Sequence, residues 1–330
     1  MSLVPPTFQD VLRARSVVQQ YLAPTPLLNP ASLGERLGCD IYLKCESLQP
    51  IGAFKIRGGI YLMSRLSDQE RSAGVVSAST GNHGQSIAYA ARLFGIPAAI
   101  FAPEGANEFK VASMRRLGAE VVLTGKDFDE ARAAAGERAE KTGARFVHSA
   151  NEPDLIAGVG TYALEIIESV PDLDAIIVPI GAGSGACGTS IVMKTVNPEI
   201  QVIGVQSEGS PAVYRSWKEK QLVTLESGST FADGLAARVA FELPLKILNE
   251  LIDDIQLVSE EEMCQGIVDL VEHAHLVAEG AGAAATAAAT KLAPGLRGKK
   301  VAVIVSGGNI TLDTFRWAFS ETSGSVQHAR

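Results

Sequence analysis

Short apolar, β-branched runs alternate along this chain with stretches of helical period. Residues 74–79 (GVVSAS) make a run of strand length, and 83–95 (HGQSIAYAARLFG) space their apolar positions as a helix does. The alternation continues with a strand over 98–103 (AAIFAP), a helix over 109–118 (FKVASMRRLG) and a strand over 120–125 (EVVLTG). Asp127 and Glu130 predict a capped start for a helix over 127–143, and 144–150 (ARFVHSA) reads as a further strand. The second half repeats the grammar: a strand over 173–180 (LDAIIVPI), a glycine turn over 181–188 (GAGSGACG), a helix over 189–196 (TSIVMKTV) and a strand over 200–208 (IQVIGVQSE). A late strand, VAVIVS, ends in the glycine turn of 299–309, and the alanine-rich 281–290 reads as a tightly packed helix of small side chains. Repeated units of this kind predict an α/β fold of two open, parallel sheets with helices on both faces. The run 73–151 is expected to form a domain of its own. No repeat of solenoid period is visible.

Composition narrows the function classes. The 330 residues suggest two domains at about 150 residues per domain. A hydrophobic share of 46% against 20% charged residues excludes disorder as the dominant state. The net charge of −8 argues against a protein that neutralises nucleic-acid phosphates. Ala175–Met193 carries no charge, but Pro179 and its glycines break it into a strand, a loop and a helix start rather than a membrane span. The four cysteines (Cys39, Cys45, Cys187, Cys264) show no CxxC pair, and the N-terminus lacks a signal-peptide pattern. Free thiols and a cytoplasmic protein are expected, with a small molecule as partner and neither nucleic acid nor membrane. His148, His273, His275 and His328 lack metal-ligand spacing.

Four segments carry candidate chemistry. Gly181, Ala182, Gly183, Ser184 and Gly185 follow an apolar strand and open a helix, a place where backbone amides hold phosphate. The string Gly183-x-Gly185-x-x-Gly188, with Glu208 at the end of the next strand, also fits a dinucleotide fingerprint. Lys55 stands among Ala53, Phe54 and Ile56; an apolar setting lowers a lysine pKa and suits it to a Schiff base with an aldehyde, while a surface lysine on an amphipathic helix is the plain reading. Ser79, Thr80, Gly81, Asn82 and His83 gather hydroxyl, amide and imidazole groups at a strand end before a helix, suited to a carboxylate or simply to capping. Ser306 ends a strong strand, with a hydroxyl able to meet a ring nitrogen. A phosphate cradle, a Schiff-base lysine, a polar group for a pyridine nitrogen and a carboxylate site together match pyridoxal 5'-phosphate; a dinucleotide leaves Lys55 and 79–84 unexplained.

The strings KCESLQPIGAFKIRGG, ASTGNHGQSIAYAARLFGIP, IAGVGTYALE, VPIGAGSGACG, FADGLA and VSGGN occur in an order that resembles the threonine/serine dehydratase and serine racemase family, of tryptophan-synthase-β-like fold. The resemblance implies that Lys55 carries the cofactor as a Schiff base, Phe54 packs by its ring and Asn82 bonds its 3-hydroxyl. It also implies that Gly181, Ala182, Gly183, Ser184 and Gly185 cradle the phosphate and that Ser306 faces the pyridine nitrogen. Ser79, Thr80, Gly81, Asn82 and His83 would then bind the substrate carboxylate. It further implies a discontinuous large domain (1–72 and 152–330), a mobile small domain (73–151) and a homodimer. The activity implied is α,β-elimination from 3-hydroxy amino acids to a 2-keto acid and ammonia. Racemisation or β-replacement on the same fold, a nicotinamide oxidoreductase and a non-catalytic amino-acid-binding module are the competing readings.

The chain departs from the family pattern at several positions. Ala53 stands where the family usually has Ser, and Gly59 where it often has Ala; the missing atoms suggest room for a bulkier substituent, as in phenylserine. Thr80 occupies the place of the serine that serves racemases as a second-face acid/base. Gln206 and Ala212 replace the acidic cluster that binds a cation in some racemases, so no metal is expected. The loop reads GAGSG rather than four straight glycines.

Overall fold

The structure, a computed structural model, describes residues 3–323. Within them ten strands follow in chain order: β1 (Leu27–Leu28), β2 (Asp40–Cys45), β3 (Val75–Ala78), β4 (Ala98–Ala102), β5 (Glu120–Leu123), β6 (Arg145–Phe146), β7 (Ala175–Pro179), β8 (Gln201–Ser207), β9 (Asp254–Val258) and β10 (Lys300–Val305). They form two sheets, ordered β5-β4-β3-β6 and β1-β2-β10-β7-β8-β9. Every pairing is parallel except that of β1 with β2. The α/β architecture with two open, mostly parallel sheets is therefore as the pattern predicts.

The chain divides into two compact units. One comprises Met1–Ala23 and Lys55–Thr161, the other Pro24–Phe54 and Tyr162–Arg330. The first holds the four-stranded sheet and reaches well beyond the expected 73–151 block. Helix packing that sequence spacing does not reveal explains the larger extent. Helix Lys55–Arg65 presents Gly58 and Gly59, and helix Pro153–Ser169 presents Gly158. A β-carbon at Gly58 would stand 2.7 Å from the Leu155 carbonyl oxygen, and one at Gly158 would stand 2.7 Å from that of Arg57. The N-terminal segment joins the same unit through the edge of Tyr21 on Phe94, with ring centroids 5.3 Å apart. Asp127 caps helix Phe128–Thr142 by accepting the amides of Asp129 and Glu130, whereas Glu130 turns back to the Lys126 amide. The strand expected over 144–150 is paired only at Arg145–Phe146.

In the other unit β7 is buried throughout and β10 is buried from Val301 onward, as strands covered on both faces should be. Helix Gly280–Leu296 lies against β7, β8, β9 and β10. Helix Glu260–Ala274 packs closely on it: a β-carbon at Gly266 would stand 2.8 Å from the carbonyl oxygen of Ala283. A buried ion pair joins Lys44 to Glu165, and the Lys44 ammonium also donates to the Thr25 carbonyl at 2.8 Å. Ala175–Met193 resolves into β7, a turn and the start of a helix. No described helix is long and apolar enough to cross a membrane.

Candidate active site

The glycine turn after β7 is shorter than its sequence suggests. Helix Ser184–Val196 begins inside it, with Gly183 as N-cap at φ +102°, a left-handed conformation suited to glycine. Ser184 and Gly185 thus belong to the first helical turn, whose amides have no intrahelical acceptor and face an anion favourably. Neighbouring backbone holds this turn. A β-carbon on Gly181 would collide with the Gly234 carbonyl, and one on Gly183 would lie 2.7 Å from Pro244 Cβ. The Tyr162 hydroxyl donates to the Gly185 carbonyl at 3.1 Å and lies 2.8 Å from the Thr189 hydroxyl. The Phe54 ring meets Tyr162 edge-on at 6.1 Å. Nothing local in the sequence signals Tyr162, because its partner lies 23 residues away.

Ser306 follows β10 and is 6% exposed. Its hydroxyl donates to the Ala281 carbonyl at 3.2 Å, and a turn about the Cα–Cβ bond would redirect that proton to an uncharged acceptor such as a ring nitrogen. The same turn grips the segment that leads into Lys55. The Phe54 amide donates to the Ser306 carbonyl at 3.1 Å, Ala53 bridges Gly307, and the Gly308 amide donates to the Gly52 carbonyl at 2.9 Å. The Asn309 side-chain amide closes the clasp on the Ile51 carbonyl at 2.8 Å. Phe54, Gly185 and Ser306 are thus all held within one unit.

In the other unit Lys55 is the first residue of its helix, not a member of an exposed helical face. Its carbonyl accepts a 2.6 Å bond from the Ser86 hydroxyl. After β3, Ser79, Thr80 and Gly81 lead into helix Asn82–Leu93. The Ser79 hydroxyl accepts the Gly84 amide at 2.9 Å and the Gly81 amide at 3.2 Å, so it orders the loop. A β-carbon at Gly81 meets nothing within 4 Å, which leaves open space over the loop. His83 turns inward: its Nε2 lies 3.0 Å from the Ser77 hydroxyl. That hydroxyl gives its one proton to the Val147 carbonyl at 2.8 Å, so the imidazole is the donor. Burial, reinforced by the positive charge of Lys55, pushes the His83 pKa down to about 3. The ring is therefore neutral and shores up the loop from beneath. Gly59 opens no extra room, contrary to expectation, because the Ser86 hydroxyl fills the place of its missing β-carbon.

Comparison with known proteins gives this geometry a context. A family model described as pyridoxal-phosphate dependent enzyme matches residues 18–307. The chain belongs to that family. An L-threonine ammonia-lyase of Thermotoga maritima is 43% identical over 93% of this chain and 76% of its own length. The catabolic L-threonine dehydratase TdcB of Escherichia coli K12 is 38% identical over 94% of both chains. Among solved structures, threonine deaminase isoform 2 of Solanum lycopersicum superposes with a TM-score of 0.91 at 31% identity, covering 97% of this chain and 96% of its own. Maize serine racemase gives 0.90 at 30% identity, with coverages of 98% and 100%.

The residues present fit the cofactor of a pyridoxal-phosphate-dependent enzyme. Helix-start amides and the Ser184 hydroxyl offer donors to a phosphate, and Ser306 offers an uncharged partner to a ring nitrogen. Family membership also settles the dinucleotide alternative. Glu208, its would-be ribose ligand, is half-exposed and lies 3.8 Å from Lys291, while Gly188 is buried in the helix. Gln206 is buried, with its side-chain oxygen accepting the Tyr214 amide at 2.8 Å. No cluster of three or more potential metal ligands occurs among the described residues. His148 accepts the amides of Ala150 and Asn151 through Nδ1, and His273 Nδ1 lies 3.1 Å from the Ser32 hydroxyl. His328 lies outside the described residues.

Proposed function

We propose that this enzyme is an ammonia-lyase for 3-hydroxy amino acids, with L-threonine as its leading substrate and L-serine second. The products would be a 2-keto acid and ammonia. The observation that carries the reading is the pairing of Lys55, at a helix start beside the 79–84 loop, with identities of 43% and 38% to a threonine ammonia-lyase and a threonine dehydratase.

Each residue then has a task. The amides at the start of helix Asn82–Leu93, with Ser79, Thr80, Gly81, Asn82 and His83 around them, take the substrate carboxylate. Gly181, Ala182, Gly183, Ser184 and Gly185 would take the cofactor phosphate, Phe54 would lie by the ring and Asn82 would bond its 3-hydroxyl. Lys55 would hold the cofactor covalently at rest, and its free amine would take the α-proton of the substrate. Pyridoxal phosphate, when bound, supplies an electron-withdrawing ring that acidifies that α-C–H. Ser306 would meet the ring nitrogen with an uncharged hydroxyl rather than a carboxylate, a partner that does not hold a proton on the ring. That favours prompt departure of the 3-hydroxyl over slow exchange at the α-carbon. The water lost at that step is regained when the enamine product is hydrolysed, and ammonia leaves.

On the same resemblance we take the enzyme to be a cytoplasmic homodimer with a mobile small domain that contains the 73–151 block. Its partner is a small amino acid, not nucleic acid or membrane, and it needs no metal. Ala53 keeps a phenylserine preference open; turnover of L-threo-phenylserine below that of L-threonine counts against it. Thr80, half-buried in the loop with a hydroxyl on its side chain, favours a second reading as a racemase, tested by D-amino-acid formation.

The deciding experiment is a visible spectrum of the purified enzyme before and after L-threonine, with keto acid and ammonia assayed. A band of lysine-bound cofactor that changes as both products appear is expected. Lys55→Ala should abolish band and turnover together. A protein that stays colourless and inert with added pyridoxal phosphate refutes the reading.

A further inference from the structure

Ser86 is fully buried on helix Asn82–Leu93, one turn past the 79–84 loop. A buried serine inside a helix can satisfy its hydroxyl on the carbonyl four residues earlier. Ser86 instead reaches across to helix Lys55–Arg65 and donates to the carbonyl of Lys55 at 2.6 Å. In an α-helix that carbonyl also accepts the amide of residue 59, so Lys55 is held by two donors from two helices. The arrangement depends on residue 59 being glycine. A β-carbon there would collide with the Ser86 hydroxyl and stand 2.9 Å from the Ser86 carbonyl oxygen. Glycine is the weakest helix former apart from proline, and here it follows another glycine inside a helix. Helix propensity does not account for Gly59, whereas the Ser86 hydroxyl does.

We propose that Ser86 is a positioning residue for Lys55, and that Gly59 is the space that admits it. The inference rests on the reading of Lys55 as the cofactor-bearing lysine. A lysine amine rides on four rotatable bonds, so its working position depends on how firmly its backbone is set. Ser86 sets that backbone against the helix whose N-terminus is proposed to take the substrate carboxylate. The hydroxyl thereby fixes the base relative to the anchor of its substrate.

The test compares wild type, Ser86→Ala and Ser86→Cys. The thiol fills the volume of the lost hydroxyl but is only a weak donor to Lys55. Two quantities are read: cofactor affinity, by titrating cofactor-free protein with pyridoxal phosphate, and amide exchange of residues 56–60 in the cofactor-free protein. Ser86→Ala should weaken cofactor binding about three- to tenfold and speed exchange at the helix start by a similar factor. Ser86→Cys should keep more thermal stability than Ser86→Ala while both readouts stay at the Ser86→Ala level. Restoration of affinity and exchange in Ser86→Cys would show the hydroxyl to be packing alone and overturn the proposal. Unchanged readouts in Ser86→Ala overturn it as well. Should wild type form no lysine-bound cofactor, the lyase reading fails, and exchange in the cofactor-free protein still decides whether Ser86 anchors Lys55.

Discussion

His83 offers a direct check on the account of the 79–84 loop, through the response of the fold to acid. Its imidazole is buried, donates to Ser77 and is neutral, with its pKa pushed down to about 3. In the unfolded chain the same ring titrates near 6.5. Between these values the unfolded state holds the extra proton, so stability rises with pH. The contribution of His83 is complete above the unfolded pKa and is lost as pH falls from there toward the folded one. At pH 5 the folded ring is still neutral, so the loss relative to pH 7.5 is set by the unfolded pKa alone. One and a half pH units at about 1.36 kcal/mol each give about 2 kcal/mol. Urea unfolding of cofactor-free protein at pH 7.5 and pH 5.0 measures it, with His83→Gln as the reference. The glutamine amide can still donate to Ser77 but does not titrate. The variant should lose about 2 kcal/mol less than wild type between the two pH values. Equal losses in both proteins would refute a neutral, buried His83. His148, pushed down to about 4 by burial and the nearby Arg132, gives the same sign and remains in both proteins, so it cancels.

Two further outcomes follow from the site. Gly181→Ala drives a methyl group into the Gly234 carbonyl, so the cradle must shift; pyridoxal phosphate binding, read by titration, should weaken at least tenfold, an energy of about 1.4 kcal/mol. Gln206 supplies its own side-chain oxygen to the Tyr214 amide, so treatment with a chelator should leave melting temperature and turnover unchanged, as thermal scans and keto-acid assay will show.

The sequence made the strands and their polar ends legible because burial on both faces writes continuous apolar runs, as β7 and β10 show. The 79–84 and 181–185 loops stood out because glycine and polar residues crowd where strands end, and Lys55 because its neighbours are apolar residues and glycines. The extent of the first unit was not, since it depends on Gly58, Gly59 and Gly158 seating helices far apart in the chain. Local spacing cannot show which surface a glycine faces. For the same reason Gly59 read as empty space, although Ser86 fills it. The helix start at Ser184 was hidden because glycines that read as a turn also serve as a left-handed cap and a first helical turn. Tyr162 and the inward turn of His83 both rest on partners that only folding brings near.

The loops that frame the candidate site meet neighbouring backbone with no side chain between them. Gly181 abuts the Gly234 carbonyl, and Gly282 abuts that of Gly307. Such joints are made of peptide groups, so exchanging one side chain for another cannot tune them; it can only break them. The frame is thus shielded from gradual change, and on the proposed function divergence in substrate preference is left to positions that do present side chains, Thr80 among them. A laboratory evolution campaign on this scaffold would accumulate its changes there and leave the glycine joints untouched.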